Sequence, residues 1–377
     1  MSTLIDVAPA GSAAAETEST WTGPGESPFA GTAGPGPGEA HWSWSCRRVA
    51  SLPSVPGQGP GVAPPAPGDL ALVRVEKTGF HKQLTTADNR RLRLYPGAQF
   101  VGVFGNRYAS DAYEAEVEGP DRLSLLTGAG MIGTVKSKHE GMADPTRVSL
   151  VGYVHGRDER RLNLKELLFR PAPAEARWRP SNLIYIVGTS MNSGKTTTAA
   201  RLIRGLSDLG LRVVACKLTG SVSNHDPDEL TAAAASKVVD FSDFGFASTY
   251  LSSHGELLEL FHTMLAEVAS AAPDVVLMEF ADGLVQRETA MLLADPEIRQ
   301  AGRGIVLSAG GSLSALWGVA YLRRLAYQII AVSGKFTSSP LAIREYRQND
   351  SDIPVASSVG NAAELAQRVA ALIVGKE

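Results

Sequence analysis

The chain is poor in cysteine, has no long apolar run and is almost neutral, and each lack closes off a class of protein. Its 377 residues hold two cysteines, Cys46 and Cys216. The first lies in a low-complexity stretch and the second in an expected buried strand, so no disulfide is expected and a reducing, cytoplasmic setting fits. No apolar run approaches the ~18 residues of a bilayer-spanning helix. A formal charge of −3 exerts no long-range pull on nucleic acid or anionic membrane, so neither is an expected partner. The N-terminus, MSTLIDVAPAGSAAAETEST, lacks the basic region and apolar core of a secretory signal. His81 and His139 have no metal-like spacing, and no zinc site is expected.

What remains divides into four parts. Residues 1–68 are rich in Gly, Pro, Ala and Ser and bury too little apolar surface to offset ordering, so they read as a disordered tail; Trp42 and Trp44 are its odd members and could dock on the folded body. Residues 69–170 carry short β-rich runs such as LALVRV, QFVGVFG and RVSLVGYV, divided by Pro96-Gly97, Gly105-Asn106 and Gly119-Pro120. That spacing predicts a small all-β, barrel-like or sandwich domain. Its polar loops, Gly79 to Lys82, Gly105 to Tyr108 and His139-Glu140, are either solvated turns or a lid and acceptor platform. Residues 171–181 form a Pro-rich linker.

From residue 182 strands and helices alternate. Strands are expected at 182–187, 211–217, 274–280, 304–308, 328–333 and 353–356. Helices are expected at 195–209, 228–239, 255–271, 286–294, 312–325, 339–347 and 361–374. This predicts an α/β domain over 182–377, its parallel sheet covered by helices on both faces, with chemistry on the loops after the strands.

The first of those loops is the most informative segment. An apolar strand, Asn182 to Val187, runs into a loop holding Gly188, Thr189, Asn192 and Ser193, which ends in Gly194-Lys195-Thr196-Thr197 at the start of a helix. Amides of such a loop and the helix dipole converge on one anion. Lys195 reaches the β/γ-phosphates and the Thr196 hydroxyl ligates Mg²⁺. Thr189 occupies the slot where the usual pattern has Gly, with Gly188 one residue earlier. Lys217, leaving the second strand, stabilises a transferring phosphoryl group or is simply solvated. Asp226 and Asp228 are candidate Mg²⁺ ligands, Asp226 equally a helix cap before Pro227. Glu279 ends an otherwise apolar strand, where an acid is costly unless paired with metal or cation. Gln286 to Thr289 and the aromatic loop Asp240 to Thr249 are candidates to face the acceptor. The loop at Ser333 to Pro340 is not the Asn-Lys-x-Asp of GTP binders, which favours ATP or leaves the base open.

Gly188-Thr189, Gly194-Lys195-Thr196, then Lys217 with Gly220, then Glu279 with Ala281, resemble the dethiobiotin-synthetase-like branch of P-loop proteins over about residues 182–360. Leu218 stands where that branch has Pro, and Phe280 where it has Gly. The segment is also similar to uncharacterised P-loop carboxy-terminal domains, one group of which resembles amino-acid N-acyltransferases, and to small nucleotide-binding proteins of molybdenum-cofactor assembly. The resemblance implies that Lys195 and Lys217 flank the γ-phosphate, and that Thr196, an Asp of 226–228 and Glu279 surround Mg²⁺. The expectation is an ATP- and Mg²⁺-dependent kinase or ligase acting on a small carboxylate or carbamate acceptor. The alternatives are a nucleotide-binding adaptor acting through a partner, or an acyltransferase holding coenzyme A phosphates in the loop. A homodimer is possible by analogy alone.

Overall fold

The structure, a computed structural model, describes residues 40–52, 55–58, 63–173, 177–178, 180–357 and 362–374. The first half is β-rich: β1 (His41–Trp42), β2 (Val55–Gln58), β3 (Leu70–Lys77), β4 (Gln83–Thr85), β5 (Arg91–Arg93), β6 (Gln99–Phe104), β7 (Tyr113–Glu116), β8 (Ser124–Leu125), β9 (Met131–Lys138), β10 (Thr146–His155) and the short α1 (Leu164–Leu168). The alternation read in LALVRV sorts side chains to two faces. Leu70 and Leu72 join one apolar cluster, and Ala71, Val73 and Val75 join another. The main sheet runs β1-β6-β3-β10-β8-β9-β7, with β2 on β10. A parallel β6–β9 pairing returns β6-β3-β10-β8-β9 to its start, so these five strands form a hydrogen-bonded ring. β4 and β5 make a separate hairpin.

The expected tail boundary at residue 68 is corrected. Residues 1–39 lie outside the described residues, but 40–52 form an arm on this sheet. β1 pairs with β6, a 3₁₀ turn follows at Trp44–Cys46, and Cys46 and Val49 are buried. Gly130 makes room for it: with φ of 97°, it lies where a Cβ would sit 2.1 Å from Ser43 Cβ. A two-residue strand inside Gly/Pro-rich sequence carries no periodicity to read.

The second half holds β11 (Leu183–Gly188), α2 (Lys195–Asp208), β12 (Val213–Lys217), α3 (His225–Ala232), β13 (Lys237–Asp240), α4 (His254–Ala269), β14 (Val275–Glu279), α5 (Arg287–Ala294), α6 (Pro296–Ala301), β15 (Gly304–Ser308), α7 (Ser312–Arg324), β16 (Ile329–Ser333), α8 (Pro340–Asn349) and α9 (Ala363–Val374). Its six strands are all parallel, in the order β13-β12-β14-β11-β15-β16. Two apolar clusters cover the faces, one with α2 and α9, the other with α4, α5 and α7.

Three expectations change here. The helix expected over 228–239 ends at Ala232; Ala234 takes a left-handed φ of 74°, and the β-branched pair Val238-Val239 belongs to the edge strand β13. A helix not expected, α6, is announced by Asp295 capping Glu297 and Ile298 amides with Pro296 at its first position. Residues 353–356 make only an isolated bridge, Val355 to Val332. In the expected linker, Ala172 N donates to Thr263 Oγ1 at 3.1 Å and Trp178 packs on the core. Both cysteines are buried and free; burial raises the Cys46 thiol to about 11 and that of Cys216 to about 12. Among the described residues, no helix is long and apolar enough to cross a membrane.

Candidate functional site

β11 is central, and the site grows from its carboxyl end. Residues 189–194 loop back into α2, with Asn192 at φ 57° and Gly194 at φ 100°. Gly194 is the N-cap of α2 and no side chain caps that end, so the first amides of the helix are left for an anion. The displaced glycine has a reason. A Cβ on Gly188 would lie 2.4 Å from Ser193 Oγ and 2.8 Å from Lys195 Cδ, so Gly188 lets the lysine stem pass. Thr189 turns its hydroxyl to accept from Gly310 N at 3.3 Å, toward β15. Ser193 is buried and its hydroxyl has no partner.

Register brings the charges together. Lys217 of β12 is paired with Glu279 of β14 on one side and Asp240 of β13 on the other. Strand alternation puts Lys217 on the face of Val213 and Ala215, and Glu279 on that of Val275 and Leu277, which is the α2 side of the sheet. There Thr196 Oγ1 donates to Glu279 Oε1 at 3.3 Å, while Glu279 Oε2, in a residue 4% exposed, has no partner. Lys195 is 6% exposed. Its ammonium donates to two carbonyls, Ser190 O at 3.0 Å and Asp282 O at 2.6 Å. Burial lowers its pKa, against the pull of Glu279 and Asp282 and with the push of Lys217.

The acids divide. Asp226 is ion-paired with Lys217 and lines the cleft. Asp228, expected as a second metal ligand, instead accepts from Asn89 Nδ2 at 3.3 Å and from Asn224 Nδ2 at 3.2 Å; half a helical turn separates the two acids, and only one can face inward. The loop Asp240 to Thr249 does not line the cleft: Asp243 takes Arg47 at 2.6 Å and Arg48 at 2.8 Å from the arm. Gln286 to Thr289 also stay out of it; Gln286 caps α5 by accepting from Thr289 N at 3.1 Å. Lys335, after β16, does line the cleft, and its amide donates to Ser193 O at 2.9 Å.

The cleft has about 840 Å³ of space, and its far wall is the β-rich half. That wall brings Phe80, His81, Lys82, Arg91, Arg93 and Arg107 into the same cleft as the start of α2. Tyr108 and Tyr250 rings meet across the seam at 5.6 Å, Tyr250 Oη donates to Glu114 at 3.2 Å, and Asn192 donates to Asp111. Sequence reading singled out the 79–82 and 105–108 loops but not which side chains face in. It also passed over Asp282 as a site residue. That carboxyl lines the cleft at a left-handed φ of 59°, and burial raises its pKa to about 6 despite Lys195 and Lys217. His81 stays neutral, its pKa lowered to about 4 by burial and Arg107, with Nε2–H donating to Leu126 O at 2.8 Å.

A divalent cation fits this donor set in one way. Among the described residues no cluster of three His, Cys, Asp or Glu could hold a metal. The orphaned Glu279 oxygen and the Thr196 hydroxyl are hard ligands of the kind Mg²⁺ accepts when phosphate and water complete its shell.

No protein-family model and no curated protein match the chain. Among solved structures it is similar to the signal recognition particle receptor FtsY from Elizabethkingia anophelis, at 16% identity over 56% of this chain and 75% of that one, TM-score 0.35. It is similar to the kinase domain of Escherichia coli tyrosine kinase ETK, at 16% identity over 42% and 68%, TM-score 0.30. A third is cell division protein ftsY from Thermotoga maritima, at 15% identity over 56% and 74%, TM-score 0.33. These are partial likenesses, and at such scores none speaks to activity or partner.

Proposed function

We propose that the protein is an ATP- and Mg²⁺-dependent enzyme that uses the γ-phosphate on a small acceptor, a carboxylate or carbamate, as a kinase or ligase does. The observation that carries this is the cleft itself. A phosphate loop with two lysines and Glu279 forms one wall, and a separate β-rich half forms the other, with room between them. In this reading the amides at the start of α2 and Lys195 hold the triphosphate. Lys217, released from Asp226, meets the charge that develops during transfer. Thr196 and Glu279 hold Mg²⁺, which neutralises phosphate charge when bound. Asp282, which lines the cleft, would take the proton lost by an amine if the activated acceptor is passed to one.

A second reading, a nucleotide-binding adaptor, draws on the exposed side chains of α7. Leu313 is 78% and Trp317 49% exposed, one turn apart, and a partner, a second copy of the chain among them, would cover both.

The test is nucleoside triphosphate turnover with Mg²⁺, ATP beside GTP, with and without a pool of small carboxylates, amines and bicarbonate. Turnover that rises with one pool member and falls by about 100-fold in Lys195→Ala supports the enzyme. Tight nucleotide binding with no stimulated turnover supports the adaptor.

A further inference from the structure

We propose that the β-rich wall of the cleft carries a second anion subsite, centred on Arg107, that holds an oxyanion group of the acceptor. The inference rests on the two-substrate reading of the cleft.

Arg107 is held rigidly. Its amide donates to Ala115 O at 2.8 Å and its carbonyl accepts from Ala115 N at 2.9 Å. Its guanidinium lies 5.8 Å from the Tyr113 ring centre, and the Tyr113 hydroxyl is itself fixed, donating to Ala143 O at 2.6 Å. Yet Nε and Nη1 of Arg107, both buried, have no acceptor. Structural arginines of the same half are saturated. Arg161 donates to Asp69 at 2.9 Å and to the carbonyls of Pro64 and Ala63; Arg47 donates to Asp243, Ser242 and Trp44 O. Arg107 lacks that saturation and faces the cleft.

The surroundings fit an anion. None of the residues this wall contributes to the lining is acidic, while Lys82, Arg91 and Arg93 add positive charge. His81 is neutral and Asp111 is engaged by Asn192. The acids of the cleft, Asp226, Glu279 and Asp282, belong to the opposite wall, where Asp282, like Asp111 on this side, attracts Arg107 by charge without a hydrogen bond to it. Nε–H and Nη1 leave the planar guanidinium on opposite sides, so each offers a single charge-assisted N–H to a carboxylate or phosphate oxygen. Burial has lowered the Arg107 pKa to about 10, which leaves it fully charged at neutral pH and thinly hydrated.

The experiment is calorimetric titration of the full chain, saturated with Mg²⁺ and ADP, with malonate and with inorganic phosphate. Wild type is expected to bind one of them. Arg107→Gln should weaken it by about 10- to 100-fold, the loss expected for a charged hydrogen-bond partner, with ADP affinity unchanged. Arg107→Lys keeps the charge without the guanidinium N–H groups and should fall between, and it serves if the Gln variant does not fold by circular dichroism. Preference for malonate identifies a carboxylate acceptor, and preference for phosphate a phosphorylated one. The subsite is overturned if neither anion binds wild type, if Arg107→Gln leaves anion affinity within about twofold, or if it weakens ADP instead. If ADP does not bind at all, the nucleotide reading fails; the anion titration on nucleotide-free protein, Arg107→Gln against Lys195→Ala, still decides the subsite.

Discussion

Lys195 is a buried cation whose hydrogen bonds go to carbonyls alone. An ammonium in that position waits for an anion, because carbonyl dipoles stabilise it less than a phosphate would. Lys195→Ala should lower turnover by about 100-fold, ~3 kcal/mol, with the fold intact by circular dichroism; full activity would remove the lysine from the chemistry. Asp282 gives a pH prediction. Its pKa rises from 3.8 to about 6, so between those values the native state holds a proton the unfolded chain has released. Its contribution to stability therefore falls as pH rises through that window. Comparing thermal midpoints of wild type and Asp282→Asn from pH 4 to 7 should show wild type losing ground to the variant; a constant gap would place the titration elsewhere. The residues legible from sequence were those whose role is local. Gly194-Lys195-Thr196 sits at a strand-helix junction, and Glu279 interrupts an apolar run. The loop of Arg107 was a candidate platform, but that Arg107 and Asp282 are the side chains lining one cleft was not legible, because that cleft joins segments over 170 positions apart.

Elements were read where periodicity was unbroken. β11, α2, β14, β15 and α7 fall within a residue or two of their expected bounds, since each is a clean apolar run or an amphipathic stretch. β13 was hidden because the alanines from 232 to 235 favour helix, and only the left-handed turn at Ala234 ends it. Caps explain helix starts. Ser253 accepts from Glu256 N while the Glu256 carboxylate accepts from Ser253 N at 3.0 Å, a reciprocal cap on α4. Ser253→Ala should cost about 1 kcal/mol, measured by denaturant unfolding. A change below a few tenths would mean that packing of α4 alone fixes its start.

At the scale of the molecule, the arm 40–52 and the seam decide how the two halves hold together. Asp243 is 14% exposed in its side chain and receives both Arg47 and Arg48. It also accepts from Asp240 N at 3.0 Å. Asp243→Ala leaves Arg47 largely buried without its carboxylate, so about 2–4 kcal/mol of stability should be lost, with faster tryptic cleavage after Arg47 and Arg48. Unchanged cleavage would mean that β1 and the Cys46 cluster anchor the arm unaided.

The ring of strands has a consequence for synthesis. β10 closes it by pairing with β3, whose residues precede it by some 70 positions, and β1 finds its place on β6 earlier still in the chain. Pairing across such separations is slow and exposes unpaired edges meanwhile. On a translating ribosome the first wall therefore stays open until residue 155 has emerged, and the loop before α2 is built only after it. A nascent chain halted before β10 should be sticky and protease-sensitive, one halted just after it should not, and a pause placed downstream of β10 would favour a clean product.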